Sequence, residues 1–284
     1  MKKLIKICQK ILDMEVKLMS NYVKKYPDII SQEARFKISK RYKKITKSIN
    51  NEFWNISSET CNSFYVGSYG RNTAISTSDI DILVVLPSAE FDRYNNLSGN
   101  SQSRLLQAVK DSIKLSYPNS DIRADGQVIK INFSDDIKFE ILPAFRNYSG
   151  AYIYPDSNLG GNWKSTNPKA EQEAMKQKNK ESNGLLVSTC RHLRYIRDNF
   201  YKSYHLSGIV IDSFVYNAIE NWKYVEEGTS SASPGDYEKK LLDYFNDKSA
   251  WWSSLPLRAP GSADEVVTND SIDCLEKVLN YMLK

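Results

Sequence analysis

Two carboxylates separated by one apolar residue, Asp79-Ile80-Asp81, open an apolar run that continues through Ile82-Leu83-Val84-Val85. Along a strand, residues i and i+2 share a face, about 7 Å apart. Two like charges at that spacing repel unless a cation joins them, and hard divalent ions take oxygen ligands. Mg²⁺ is the natural candidate. A third acid, Glu140 in Lys138-Phe139-Glu140-Ile141-Leu142, stands where Phe139 and Ile141 face a core and Glu140 faces the other way. If the two runs are neighbouring strands, three carboxylates converge. Such a set can hold two metal ions, one lowering the pKa of an attacking hydroxyl and one stabilising a leaving phosphate oxygen. Upstream, Gly67-Ser68 marks a strand-to-helix turn in which backbone N–H groups and a hydroxyl approach a triphosphate closely. A bare Asp-x-Asp is common in surface turns; joined to Gly-Ser and an apolar strand, it reads as metal-dependent phosphoryl or nucleotidyl transfer.

The elements around this motif follow from periodicity. Ile5, Cys8, Leu12, Val16, Met19 and Val23 recur at helical spacing, predicting a long amphipathic helix over 3–25 that ends before Pro27. Ile38, Tyr42, Ile45 and Ile49 mark a second helix that ends near Phe53 and Trp54. Short β-branched or alternating runs at 63–66, 80–86, 128–133 and 137–142 predict one mixed sheet, with a helix at 103–115 carrying Leu105, Leu106, Val109 and Ile113. The Gly, Asn, Ser and Asp of 154–165 form a loop and a boundary. Asn167-Pro168, with Glu171 following, then reads as an N-cap, a first helical position and a first-turn acid. Helices follow around Leu186–Phe200, Ile211–Ile219 and 272–283, with a loop at 227–235. The expectation is therefore an α+β protein: an α/β lobe over 1–165 and a helical lobe over 166–284, with the active cleft between them.

Composition narrows the class. Over 284 residues, 41% hydrophobic and 26% charged with 12 Gly and 9 Pro is a globular composition, which excludes disorder and collagen. No stretch approaches the roughly 20 apolar residues that span a bilayer. The opening Met-Lys-Lys-Leu-Ile-Lys is broken by Lys6, Gln9 and Lys10 as a signal sequence, so a cytoplasmic protein is expected. Cys8, Cys61, Cys190 and Cys274 lack any paired spacing and read as free thiols. The net charge of +5 is uneven, because residues 1–50 hold 14 Lys and Arg against 4 Asp and Glu. That segment is either a solvated helix face or a surface for nucleic acid or nucleotide phosphates.

The run Gly67-Ser68-Tyr69-Gly70-Arg71-Asn72-Thr73 leading to Ser78-Asp79-Ile80-Asp81 resembles the DNA polymerase β-type nucleotidyltransferase superfamily. With Asp125-Gly126-Gln127-Val128 and Glu140-Ile141-Leu142-Pro143-Ala144-Phe145 it is similar to the bacterial cGAS/DncV-like nucleotidyltransferases, the cyclic-oligonucleotide synthases of anti-phage CBASS systems. Trp163, the segment from Thr166 to Glu171 and that from Ser207 to Ser213 extend the likeness, which covers about residues 60–215. The resemblance implies a polymerase β-like lobe, a helical C-terminal lobe and a long N-terminal helix. It implies Asp79, Asp81 and Glu140 as ligands of two Mg²⁺ or Mn²⁺ ions, with Glu140 also the base. Most relatives carry Asp at that third position, one methylene shorter. It further implies that Gly67 and Ser68 bind the triphosphate, with Arg194 and Ser213 matching a basic residue and a serine that reach those phosphates in relatives. Nucleoside triphosphates are the implied substrates, a cyclic di- or trinucleotide the product and a separate effector its sensor. CBASS regulatory proteins are implied partners; a membrane and nucleic acid are not.

The residues themselves justify only nucleotidyl transfer. The same site could modify RNA, a protein or a small molecule, and a nucleic-acid-binding module using the basic first 50 residues is a reading from another class. His192 and His205 have no metal or nucleophile partner spacing and read as structural or surface residues. Trp251-Trp252 could stack a base or pack the helical lobe.

Overall fold

The computed structural model describes Leu18–Ser20 and residues 30–284, which fall into two compact units. One comprises 30–173 with Gly261–Asp264; the other comprises 18–20, Ala174–Pro260 and Glu265–Lys284. The elements in chain order are β1 (Leu18–Ser20), α1 (Gln32–Ile49), β2 (Ser63–Tyr65), β3 (Ile80–Val85), α2 (Ser88–Asn95) and α3 (Ser101–Ser116). Then come β4 (Asp121–Asp125), β5 (Val128–Asn132), β6 (Lys138–Arg146), β7 (Tyr152–Asp156), β8 (Asn162–Thr166) and α4 (Pro168–Glu181). The division between units falls inside α4. The remainder is α5 (Leu185–Phe200), α6 (Gly208–Ala218), β9 (Lys223–Val225), α7 (Asp236–Lys248), β10 (Leu257–Arg258), β11 (Glu265–Val266) and α8 (Ile272–Met282).

Most of the helix expected over 3–25 lies outside the described residues. Within it, Leu18–Ser20 is a strand, pairing in parallel with β9. Helical spacing of apolar residues did not decide this triplet, because backbone pairing with β9 overrides a local preference.

The α/β unit is built on a mixed seven-stranded sheet in which β2, β3, β6, β5 and β4 lie side by side and β7 and β8 continue from β6. Only β3 and β6 run parallel; every other pair is antiparallel. Alternation divides β3 cleanly. Ile80, Ile82 and Val84 pack with Phe139, Ile141 and Phe145 of β6 against Ile38, Ile45 and Ile49 of α1 and Leu105, Leu106, Val109 and Ile113 of α3. On the opposite face Leu83 joins Ala144, Val66 and Tyr152 in a smaller cluster. Asp81 and Glu140 share that second face, at the start of the two strands.

Local signals start the helices. Ser31 caps α1 by accepting from Ala34 N at 3.1 Å, and Asn100 caps α3 by accepting from Ser103 N at 2.9 Å. Asn167 Oδ1 accepts from Ala170 N at 3.2 Å, the expected cap ahead of Pro168. A forked pair from Arg41 to Asp135, at 2.8 and 2.9 Å, with the guanidinium over the Phe133 ring, fastens α1 to the β5–β6 connection.

The helical unit has its own core, in which Leu186, Cys190, Leu193 and Ile196 of α5 meet Ile211, Phe214 and Val215 of α6 and Cys274, Leu275 and Val278 of α8. Trp252 belongs to this core, whereas its neighbour Trp251 is exposed. Cys190 and Cys274 are buried free thiols and Cys61 an exposed one. Among the described residues no helix is long and apolar enough to cross a membrane.

Candidate active site

The parallel register puts Asp81 of β3 directly opposite Glu140 of β6. This adjacency depends on β6 returning beside β3 after two helices and two strands, which local sequence does not encode. Asp79 lies just ahead of β3 and is exposed, after a turn closed by Ser78 N donating to Ile75 O at 2.9 Å and Ile75 N to Ser78 Oγ at 3.0 Å.

The Gly-Ser turn is pressed against the strand that carries Asp81. Val66 N donates to Asp81 O at 2.9 Å, and the chain then turns through Gly67 at φ 58°, the left-handed region that favours glycine. A Cβ on Gly67 would stand 2.6 Å from Asp81 Cγ. Residues 67–70 make one helical turn, and Ser68 O then accepts from Thr73 N at 2.9 Å and Ala74 N at 3.1 Å. Ser68, next in the chain to the glycine packed on Asp81, is part-exposed.

The first turn of α4 holds this turn from the other side. Gln172 Nε2 donates to Tyr65 O at 2.8 Å, and Arg71 Nη1 lies 2.8 Å from Glu171 Oε2 with both side chains buried. A Cβ on Gly70 would meet Gln172 Nε2 and Tyr65 O, each at 2.6 Å. Glu171, read from sequence as a helix-dipole acid, is therefore also a buried ion-pair partner. Spacing does not announce a pair one hundred residues apart.

The electrostatics centre on Glu140. Burial pushes its carboxyl above the ordinary value; the Lys130 ammonium opposes this, and the Asp79 charge adds to the rise. Lys130 faces Glu140 across the antiparallel β5–β6 register, with Nζ 3.6 Å from Glu140 Oε1 and 2.7 Å from Asp125 Oδ2. Its bond to Asp125 leads the causes that raise the Lys130 pKa. Lys130 was legible as a strand residue between Ile129 and Ile131, but its partner was not.

The strands bring the acids into register, yet among the described residues no three acidic, histidine or cysteine side chains form a ready cation cage. The backbone register sets Asp81 opposite Glu140, with Asp79 two residues ahead of Asp81, while Glu140 Oε1 leans toward Lys130. The donor chemistry fits a hard divalent ion, because the acids in register offer only carboxylate oxygens. A cavity of about 680 Å³ opens beside Asp79, walled by Ser31, by Ala34 and Lys37 of α1, by Ser76–Ser78 and by Lys138.

The other sequence-derived site residues are elsewhere. Arg194 is 1% exposed within the helical unit; its guanidinium forks onto Asp212 at 2.6 and 2.9 Å and donates to Gly208 O at 2.9 Å. The structure places this guanidinium in an internal ion pair, whereas the sequence reading expected a nucleotide contact. Ser213 is fully buried, and among the described residues its Oγ has no hydrogen-bond partner. The Asp125-Gly126-Gln127-Val128 motif is the β4–β5 turn, tied by Gln127 Nε2 to Asp156 Oδ2 at 3.2 Å and by Ser157 Oγ to Gly126 O at 2.8 Å.

A mixed sheet with an acid pair in register on adjacent parallel strands, faced by a Gly-Ser turn, is the architecture of a nucleotidyltransferase lobe. The family model of the Second Messenger Oligonucleotide or Dinucleotide Synthetase (SMODS) domain matches residues 19–179, and the chain belongs to that family, among the cGAS/DncV-like nucleotidyltransferases. The chain is 28% identical over 213 residues to the cyclic AMP-AMP-AMP synthase of Acinetobacter sp., covering 73% of this chain and 57% of that protein. It is 27% identical over 151 residues to the probable cyclic nucleotide synthase IK1_05630 of Bacillus cereus, covering 50% and 44%. The matches thus span about half the length of these curated relatives. Among solved structures, the CdnE c-di-GMP synthase of Capnocytophaga granulosa superposes with a TM-score of 0.60 at 16% identity, covering 87% of this chain and 79% of that one. The CdnE cyclic dinucleotide synthase of Elizabethkingia meningoseptica gives 0.57 at 16% identity, covering 96% of each. At these identities the likeness is one of fold.

Proposed function

We propose that this chain joins ribonucleoside triphosphates into a cyclic di- or trinucleotide, releasing pyrophosphate. The observation that carries the reading is the Asp81–Glu140 register with the Gly67 turn packed on Asp81. Asp79, Asp81 and Glu140 would hold two Mg²⁺ or Mn²⁺ ions, which supply activation of a ribose hydroxyl and neutralise charge on the phosphates. Glu140 takes the proton of the attacking hydroxyl, and burial holds its carboxyl above the ordinary value. The backbone N–H groups of the Gly67-Ser68 turn and the Ser68 hydroxyl bind the triphosphate of the nucleotide under attack. Arg194 and Asp212 hold α5 to α6 and take no part in phosphate binding.

Family membership supports cyclic-nucleotide synthesis over transfer to RNA, protein or a small molecule. The relatives' names carry different products, cyclic AMP-AMP-AMP and c-di-GMP among them, so the bases are a property of each chain. We assign the product a role as second messenger in anti-phage CBASS signalling, sensed by a separate effector in the cytoplasm.

The test is incubation with the four ribonucleoside triphosphates and Mg²⁺ or Mn²⁺, phosphatase treatment and mass spectrometry, with Asp79→Ala/Asp81→Ala protein as control. A phosphatase-resistant species with the mass of a cyclic di- or trinucleotide, absent from the control, is expected. Product formed only when RNA or protein is added would replace the cyclase with a transferase acting on that acceptor.

A further inference from the structure

A second cavity, of about 480 Å³, lies at the other end of β3 from the acids, where Val85 and Leu86 form its floor. Asp81 and Val85 are four residues apart on one strand, about 13 Å at 3.3 Å per residue. The cavity is therefore separate from the Gly67 turn. Trp54, Phe64 and Tyr152 supply its aromatic walls, and Arg146 and Lys169 its charge.

No carboxylate lines this cavity. Among the described residues neither Arg146 nor Lys169 forms an ion pair; Lys169 Nζ sits 4.9 Å from the centroid of the Phe64 ring. Two cations set beside three rings, without a compensating acid, make a local field that attracts an anion. The Trp54 Nε1–H is already spent on Val85 O at 2.9 Å, so that ring offers its face and edge, not its donor. Asn62, Ser63 and Ser88 complete the lining with neutral polar groups. The volume lies within the roughly 300–1,000 Å³ of small-molecule sites, and a few polar groups on an apolar wall are their usual composition.

We infer that this cavity binds an aromatic phosphate monoester of mononucleotide size, its ring against Trp54, Phe64 and Tyr152 and its phosphate between Arg146 and Lys169. Charge selects phosphate over a single carboxylate, because a phosphate monoester carries about −1.5 to −2 at pH 7 and two cations match it. Ring stacking and the charge pair are both needed, so neither half of the ligand suffices.

The experiment is calorimetric titration of adenosine 5′-monophosphate into Asp79→Asn/Asp81→Asn protein with EDTA present, which removes any metal-held mode. Saturable 1:1 binding is expected, at least tenfold weaker for adenosine and for inorganic phosphate. Arg146→Glu/Lys169→Glu should weaken it at least tenfold, while Ser68→Ala leaves it unchanged. Both cations are exposed; if the double charge reversal lowers the melting temperature, Arg146→Gln/Lys169→Gln gives the same reading. Absence of binding overturns the inference, as does binding that Ser68→Ala abolishes and the charge reversal leaves intact. Because no turnover is measured, failure here is distinct from failure of the cyclase reading.

Discussion

Gly67 and Asp81 are so closely packed that no side chain fits between them: a Cβ on Gly67 would lie 2.6 Å from Asp81 Cγ and 2.9 Å from Asp81 Cβ. The glycine serves two purposes there, a φ of 58° that most residues adopt at a cost of about 1–2 kcal/mol, and a backbone that can touch a carboxylate. Gly67→Ala is therefore expected to displace Asp81 or the turn. Displacement of about 1 Å costs on the order of a hundredfold in rate. Steady-state kinetics beside a melting curve check this: turnover should collapse while the fold persists, and wild-type turnover would refute the placement.

Burial dominates the ionisation of Glu140, and Lys130 tempers it. Burial raises that carboxyl and Lys130 opposes the rise. Lys130→Met should therefore raise the Glu140 pKa further and move the acid limb of the pH–rate profile to higher pH. An unmoved limb would show that Glu140 is not the base.

Glu140→Gln separates activity from stability. Activity should fall about 10²–10⁴-fold, the usual worth of a general base. Because burial raises the folded-state pKa, the folded chain binds this proton more tightly than the unfolded one. The stability contributed is present at low pH and is lost as pH rises through the raised value. At neutral pH the neutral glutamine should hold or raise the melting temperature, Lys130 keeping Asp125. A large loss of stability would make Glu140 a structural residue.

Arg71 and Glu171 couple the Gly-Ser turn to the first turn of α4. Both side chains are buried, at 6% and 9% exposure, so removing one partner strands a charge and should cost about 3–5 kcal/mol. Arg71→Met with Glu171→Leu should recover part of that in denaturant unfolding. Additive losses in the double-mutant cycle would mean that the two act independently.

Arg194 and Asp212 provide the contrasting case. Arg194→Ala should destabilise the helical unit by about 3–5 kcal/mol. Arg194→Met/Asp212→Leu should regain stability and leave KM for the triphosphate unchanged. A KM raised tenfold or more in that folded double variant would return Arg194 to the phosphate site.

Much of this protein was written locally. Alternation in Ile80–Val85 gave a strand with Asp81 on the face opposite Ile80, Ile82 and Val84, because side-chain direction has a period of two. The Ser31, Asn100 and Asn167 caps began helices where the chain offers a short polar side chain to free N–H groups. The Gly-Ser turn and the Asp-x-Asp pair lie within fifteen residues of one another, so their nearness was readable from spacing.

Tertiary structure decided what spacing leaves unspecified. Asp81 meets Glu140 because two strands fifty-odd residues apart pair in parallel, and register is a product of the whole sheet. Glu140 leans to Lys130, Arg71 is neutralised by Glu171, and Arg194 is held by Asp212, each through a partner far along the chain or on another element. A charge in a sequence has no partner until the chain folds. Burial then makes an unpaired charge costly, so the fold determines which cations are left to meet a ligand and which are used to hold it together.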